Sequence, residues 1–449
     1  MSQEVSLLQV LQAREDRVRF QQELLREYHC PLICFTMNIA GPVKNSPLIQ
    51  RGFQAGLQAL DAQLPATFIR KRAITSAVTG CEAMYAVDMD AAQLKQICTA
   101  IEDGTPLGRL FDMDVLNEDG TKLERSGLRG CIVCGAPGRG CAARRVHPVS
   151  QLQTVTNEIL QEHFRLSDAA KVAEIAVQSL LDEVHTTPKP GLVDRRNNGS
   201  HKDMDLPLFI TSANVLRPYF QECVQIGQNT ASKTPQETFS SLRQAGLNAE
   251  KAMYNATGGI NTHKGIIYTM GILCGGIGRL WSAETPFAKT SAIVSQGARM
   301  AQSAMDADFA AADNSTAGLR LYKTHGIKGI RGEVASGLPS VMALSLPVYQ
   351  ERLKKGLSSN DAGVIALLHL IANIEDTNLL HRGGTAGAAW AASAAQNLLK
   401  TDRRSISAVE LLDDQFIQKN LSPGGCADLL AVTYFLHSLD NFSNNLFTF

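Results

Sequence analysis

The chain has 449 residues, 44% hydrophobic and 19% charged, enough for two or three domains with sizeable cores. Forty-three basic residues balance forty-three acidic ones, which excludes a global field drawing the protein to nucleic acid or anionic lipid. Anion binding must therefore come from local clusters. The opening residues carry no basic-then-apolar signal pattern, and the longest apolar run, Gly265 to Ile277, is too short and glycine-rich to span a bilayer. The expectation is a cytoplasmic protein without membrane or nucleic-acid partners, whose ten cysteines are thiols or metal ligands rather than disulfides.

Residues 3 to 28 space Val5, Leu8, Leu11, Val18 and Leu25 among polar residues, which predicts an amphipathic helix. Leu32 to Ile39 reads as a buried strand opening into Asn38-Ile39-Ala40-Gly41-Pro42-Val43-Lys44-Asn45-Ser46. A Gly-Pro turn with Lys44, followed by Ser46 as an N-cap for a helix from Pro47 to about Gln63, suits a phosphate; an ordinary strand-to-helix loop suits it equally. Over Leu110 to Leu116, Phe111, Met113 and Val115 point one way and Asp112 and Asp114 the other. Alternate carboxylates on a strand lie roughly 6–7 Å apart, close enough to share Mg²⁺ at a phosphate under attack, or simply to line an exposed face. Asp88 and Asp90 share the spacing.

Cys131, Cys134, Cys141 and His147 follow as C-x2-C-x6-C-x5-H. This pattern suits tetrahedral Zn²⁺, or reduced thiols around a Gly/Arg-rich loop that touches phosphates; Arg139, Arg144 and Arg145 are candidate phosphate contacts either way. Asn38 to Lys44, Gly108-Arg109-Leu110-Phe111-Asp112-Met113-Asp114-Val115 and the Cys/His segment together resemble the holo-citrate lyase synthase family over roughly residues 5 to 160. The resemblance implies a nucleotidyltransferase that moves phosphoribosyl-dephospho-CoA onto a serine of the citrate lyase acyl carrier (gamma) subunit. Asp112 and Asp114 would then hold Mg²⁺ while Lys44 and Arg109 neutralise phosphate.

From Val149 the pattern is helical, with helices predicted over Ala169 to Val184, Leu206 to Phe220 and Leu242 to Met253. Between the first two lies Thr187 to Asp205, read as one long loop. Pro188 and Pro190 flank Lys189, Gly191 frees the turn, and Asp194, Arg195, Arg196, Asn197, His201, Lys202, Asp203 and Asp205 crowd after it. It reads as a polyanion and metal site, with disorder as the alternative. Thr257-Gly258-Gly259-Ile260-Asn261-Thr262-His263-Lys264-Gly265 precedes an apolar helix, so its backbone N–H groups suit a phosphate. Three further polar loops are expected: Thr324-His325-Gly326 with Arg331-Gly332-Glu333; Glu375-Asp376-Thr377-Asn378 running into His381-Arg382-Gly383-Gly384; and Ser422-Pro423-Gly424-Gly425-Cys426-Ala427-Asp428. A shared polyphosphate cleft is the joint reading.

As a set, these motifs resemble the triphosphoribosyl-dephospho-CoA synthase family from about 165 to the C-terminus, with Ser200 where an alanine is expected. The resemblance implies that ATP and 3′-dephospho-CoA combine as adenine leaves. Asp203, Asp205 and Asp376 would supply a base and Mg²⁺ ligands, Asp203 and Asp205 holding the ion; His263 or His381 would protonate adenine. Lys189, Gly191, Asp194, His201, Gly258, Gly259, Asn261, Thr262, Lys264, Arg331, Asn378, Arg382 and Gly383 would bind substrate. The expected architecture is two domains. Residues 1–160 form an α/β nucleotidyltransferase-type mixed sheet with helices, and residues 165–449 form an all-α domain. The whole resembles a fused, bifunctional prosthetic-group assembly enzyme of citrate lyase. Two other readings stand: the same chemistry serving a malonate decarboxylase carrier, and a zinc-knuckle binding module fused to a nucleotide-binding helical domain.

Overall fold

A computed structural model describes residues 3–136, 141, 144–310, 329–400 and 406–445. Arg139 and the Thr324-His325-Gly326 loop lie outside them. The chain divides into two compact units, Met1–Arg165 and Leu166–Phe449.

In the first unit, α1 (Leu7–Tyr28) starts from a Ser6 capping box with Gln9. Next come β1 (Leu32–Met37), α2 (Pro47–Gln63, capped by Ser46), β2 (Ile69–Ala77), β3 (Gly80–Val87), α3 (Ala91–Gly104) and β4 (Phe111–Leu116). The four strands form one sheet ordered β2-β3-β1-β4, antiparallel at every pairing. This corrects the expected mixed sheet. β3 and β4 do run in the same direction, but β1 lies between them, so no parallel ladder forms. One face buries Phe35, Tyr85 and Met113, with Phe35 stacked on Phe53 of α2. The other packs Cys34, Met84 and Leu116 against Leu24 and Phe20 of α1.

α4 (Val149–His185) carries the chain into the second unit, where the described residues are helical or looped. In order come α5 (Leu206–Val215), α6 (Arg217–Asn229), α7 (Pro235–Ala256), α8 (Lys264–Leu280), α9 (Thr290–Ala310) and the short α10 (Gly329–Ala335). α11 (Leu346–Lys354), α12 (Ser359–Asn373), α13 (Thr377–Lys400), α14 (Ile406–Gln418) and α15 (Gly424–Asn445) complete it. The helix expected over Leu206 to Phe220 is two, because Pro218 lacks the N–H that would continue the first into the second. Arg331, Gly332 and Glu333 belong to α10, and His381 and Arg382 to the first turns of α13, rather than to loops. One apolar cluster runs through the unit, including Val172, Phe220, Leu273, Leu367 and Phe435. Among the described residues no single helix is long and apolar enough to cross a membrane; the bent pair α12 and α13, meeting at 56°, passes that test by length and composition only.

Glycines on α6 and α8 have a packing reason. A Cβ on Gly278 would lie 2.0 Å from the carbonyl oxygen of Val224, and one on Gly227 2.1 Å from that of Gly275. α6 and α8 therefore cross backbone to backbone. Gly278→Ala is expected to destabilise the helical unit by on the order of 1–3 kcal/mol, since neither backbone can yield. Urea unfolding followed by circular dichroism measures it; wild-type stability would mean the crossing relaxes easily.

Candidate functional site

In the helical unit, residues 186–205 form the expected non-helical loop, and a buried polar knot makes it rigid. Asp194 accepts hydrogen bonds from the backbone N–H groups of Lys189 (2.9 Å), Arg196 (2.7 Å) and Asn197 (3.1 Å). Asp413 of α14 accepts from the Gly191 N–H at 2.9 Å, from Arg196 at 2.6 Å and from the Asn197 amide at 2.7 Å. Both carboxylates are buried, so each bond replaces water that burial removed.

The loop walls a cleft of about 1300 Å³ that also takes in the starts of α8, α13 and α15. Of the residues singled out in the sequence, Lys189, His201, Asn261, Thr262, His263, Lys264, Arg331, Asp376, Asn378, His381 and Arg382 line it. Asp205 does not; its carboxylate caps α5 by accepting from Leu208 N–H at 2.9 Å. Asp203 is exposed, and its charge is felt by His201 and Arg382. Asp194 and Gly191 are spent in the loop knot, and Gly383 packs against Leu421. Gly258 and Gly259, with φ of 65° and 90°, end α7 rather than start α8, and the Gly259 N–H is bonded to the Tyr254 carbonyl at 2.8 Å.

Asp376 is 2% exposed and joins two helix starts. Its Oδ1 accepts from Asn378 and Leu379 of α13 (2.7 and 3.2 Å), and its Oδ2 from Cys426 of α15 (2.8 Å). Lys189 is also buried, with its Nζ bonded to Glu183 Oε1 at 2.5 Å and to the Glu183 carbonyl at 2.8 Å. At the rim, Arg382 donates to the Ser200 carbonyl (2.8 Å) and lies 3.2 Å from His201 Nδ1, while Lys264 pairs with Glu250 at 2.8 Å.

Sequence reasoning gave no role to two carboxylates here. Glu183 ends a helix, where the dipole disfavours an anion, and that misplacement was a usable signal. Asp428, one turn into α15, lines the cleft and has no hydrogen bond or ion pair among the described residues. Burial, then the charges of Glu183 and Asp376, push its carboxyl well above the usual range. Its Oδ2 lies 2.1 Å from where a Cβ on Gly265 would stand, so that glycine admits the carboxylate.

In the sheet unit, Asp112 and Asp114 share the β4 face that α1 covers, in register with Thr36 and Cys34. Arg17 of α1 pairs with Glu82 on the same face and feels the charge of Asp112. Desolvation, then Asp114, raises the Asp112 carboxyl; Lys122 holds Asp114 at 2.6 Å. Lys44 bonds the Ile39 carbonyl at 2.5 Å, and Arg109 bonds the Gly130 carbonyl and pairs with Asp103 at 3.8 Å. Of the other carboxylate pair, Asp88 pairs with Arg70 and Asp90 caps α3. Cys131, Cys134, Cys141 and His147 do converge, with ligand atoms within 4.8 Å of one another.

Two family descriptions match the chain. "ATP:dephospho-CoA triphosphoribosyl transferase" (CitG) covers residues 169–446, and "Apo-citrate lyase phosphoribosyl-dephospho-CoA transferase" (CitX) covers 5–163. Relatives called Protein CitXG are 37% identical in Haemophilus influenzae (97% of this chain, 96% of the relative) and 32% in Leuconostoc mesenteroides (97% of each). A Vibrio cholerae protein described as a probable 2-(5''-triphosphoribosyl)-3'-dephosphocoenzyme-A synthase is 42% identical over 60% of this chain and 88% of its own length.

His263, buried and bonded through Nδ1 to Ser212 Oγ at 2.7 Å, is lowered to about 3 by burial and then by the charge of Lys189. An unfolded histidine takes its proton below about 6.5, whereas this one stays neutral until about 3. Its contribution to stability is therefore present above pH 6.5 and lost as pH falls from there toward 3. His263→Asn, which keeps the acceptor for Ser212, should flatten the fall of unfolding free energy below pH 6.5 in denaturant titrations. An unchanged slope would mean the imidazole protonates in place.

Proposed function

Because this chain belongs to the family that fuses a CitX-type transferase to a CitG-type synthase, we propose a division of labour between its two units. It is a bifunctional transferase of citrate lyase prosthetic-group synthesis. The helical unit joins the triphosphoribosyl group of ATP to 3′-dephospho-CoA; moving that group off ATP leaves adenine as the other product. The sheet unit passes phosphoribosyl-dephospho-CoA to a serine of the citrate lyase acyl carrier subunit and releases pyrophosphate.

The observation that carries the synthase reading is the convergence of the desolvated Asp428 carboxylate, the starts of α8, α13 and α15, and the cations Lys264, Arg331 and Arg382 on one cleft. Helix starts and cations suit a triphosphate. The 2′-hydroxyl oxygen of dephospho-CoA attacks C1 of the ATP ribose as the bond from C1 to the adenine nitrogen breaks, through an oxocarbenium-like state. Asp428 takes the hydroxyl proton, a task its raised proton affinity favours. His381, exposed at the rim, returns a proton to adenine; neutral His263 orients substrate through a hydrogen bond rather than acting as the acid. Asp376 and the Glu183–Lys189 pair hold the walls. Asp203 beside Arg382 is the Mg²⁺ ligand in this scheme, since Mg²⁺ is usually held by one or two carboxylates plus phosphate oxygens. That ion would neutralise triphosphate charge.

In the transferase unit Asp112 and Asp114 suit a second Mg²⁺, because two like charges on one strand face relax when a cation joins them. The ion would lessen charge on the α-phosphate, and Lys44 and Arg109 would bind its oxygens.

Asp428→Asn should lower adenine release from ATP and 3′-dephospho-CoA by about 10²–10⁴-fold. The same protein, given the triphosphoribosyl intermediate, should still label the carrier. Asp112→Asn should do the reverse. Adenine by chromatography and carrier mass by spectrometry read the two steps; loss of both in either variant would overturn the division.

A further inference from the structure

The sheet unit holds a constellation that neither proposed reaction uses. Cys131 opens a tight turn: the Gly135 N–H bonds the Cys131 carbonyl at 2.9 Å, and the Cys131 N–H bonds the Ala136 carbonyl at 2.6 Å. The Val133 N–H points at Cys131 Sγ, 3.5 Å away. Gly135 has φ +72°, and a Cβ on Gly130 would meet the Gly135 carbonyl oxygen at 2.6 Å. The turn therefore closes only with glycine at both places. It sets Cys134 Sγ 3.6 Å from Cys141 Sγ and 3.3 Å from His147 Nε2. The other ring nitrogen of His147 lies 3.2 Å from Gln151 Oε1, on the first turn of α4.

We propose that Cys131, Cys134, Cys141 and His147 bind one Zn²⁺ in a closed tetrahedral site that fixes the loop carrying Arg129 and Gly130. Three sulfurs and one imidazole nitrogen are a soft, four-ligand set that selects zinc over Mg²⁺. The backbone N–H aimed at Cys131 sulfur stabilises a thiolate, and Gln151 fixes the tautomer and tilt of the His147 ring, the second-sphere contact such ligands normally have. Four protein ligands complete a tetrahedral set, the pattern of structural rather than catalytic zinc.

The loop is tied to the start of β4 by guanidinium-to-carbonyl bonds. Arg129 donates to the carbonyls of Phe111 (2.6 Å) and Gly108 (2.7 Å), and the Gly130 carbonyl accepts from Arg109. Zinc thus anchors the strand start that presents Asp112, together with the cation proposed to face its phosphate. The metal assignment stands on loop geometry and survives if the transferase reading fails.

The test uses the full chain purified under reducing conditions without chelator. Elemental analysis should find about one zinc per chain, lost in Cys131→Ser and in His147→Ala. In the wild-type protein Cys131, Cys134 and Cys141 should react with a thiol reagent much faster after a strong chelator is added. Replacement by Co²⁺ should give the intense visible bands and thiolate charge-transfer absorption of a tetrahedral site. Adenine release should persist in the zinc-free protein while carrier labelling falls. Zinc-free wild-type protein, zinc retained by both variants, another metal in its place, or thiols indifferent to chelator would each overturn the assignment.

Discussion

The cleft of the helical unit depends on one carboxylate that does no chemistry in the proposed scheme. Asp376 accepts three backbone N–H groups, two from α13 and one from α15, and fixes both helix starts side by side. Helix starts leave N–H groups without partners, and two of them together would bind water or any passing anion. One buried aspartate satisfies three and leaves the rest facing the cleft. Gly425 makes room, since a Cβ there would stand 3.0 Å from Asp376 Oδ2. The carboxyl is nonetheless raised by burial, which the three N–H bonds only partly offset. Its proton affinity comes from where the fold needs it.

The long loop shows the same division between holding and reacting. Its acidic residues read alike in the sequence, but their surroundings separate them. Asp194 ties the loop to itself, Asp205 starts α5, and Asp203 is left beside the cleft cations, while Asp413 of α14 ties the loop to that helix. The lysine at the loop's start is equally committed, since a buried ammonium needs a buried anion and Glu183 supplies it. Removing either partner would strand the other.

In the first unit α1, β1, α2 and β4 were legible because alternation and caps are local: Ser46 before Pro47, and the two faces of Phe111 to Leu116; β2, β3 and α3 were not read. The sheet's handedness of pairing was not, because strand order is set by how α2 and α3 return the chain and leaves no mark within a strand. In the second unit the motif residues came together largely as read, eleven of them on one cleft. What escaped was the division of labour. Gly258 and Gly259 look the same whether they stop one helix or begin the next; only the Tyr254 carbonyl decides. Asp428 was visible in its motif, yet its lack of a partner is a property of three helices at once.

The contact between Asp428 and Gly265 bears on how such motifs are interpreted. A glycine in a phosphate-binding stretch is readily credited with letting backbone approach ligand. Here its missing methyl group leaves space for a side chain from a distant helix. The two positions behave as lock and key within the fold: any larger residue at 265 would displace the carboxylate, mimicking loss of the base in the proposed scheme. Inactivity after substitution at Gly265 would therefore report on Asp428, and a shorter side chain at 428 would relieve the clash without restoring chemistry.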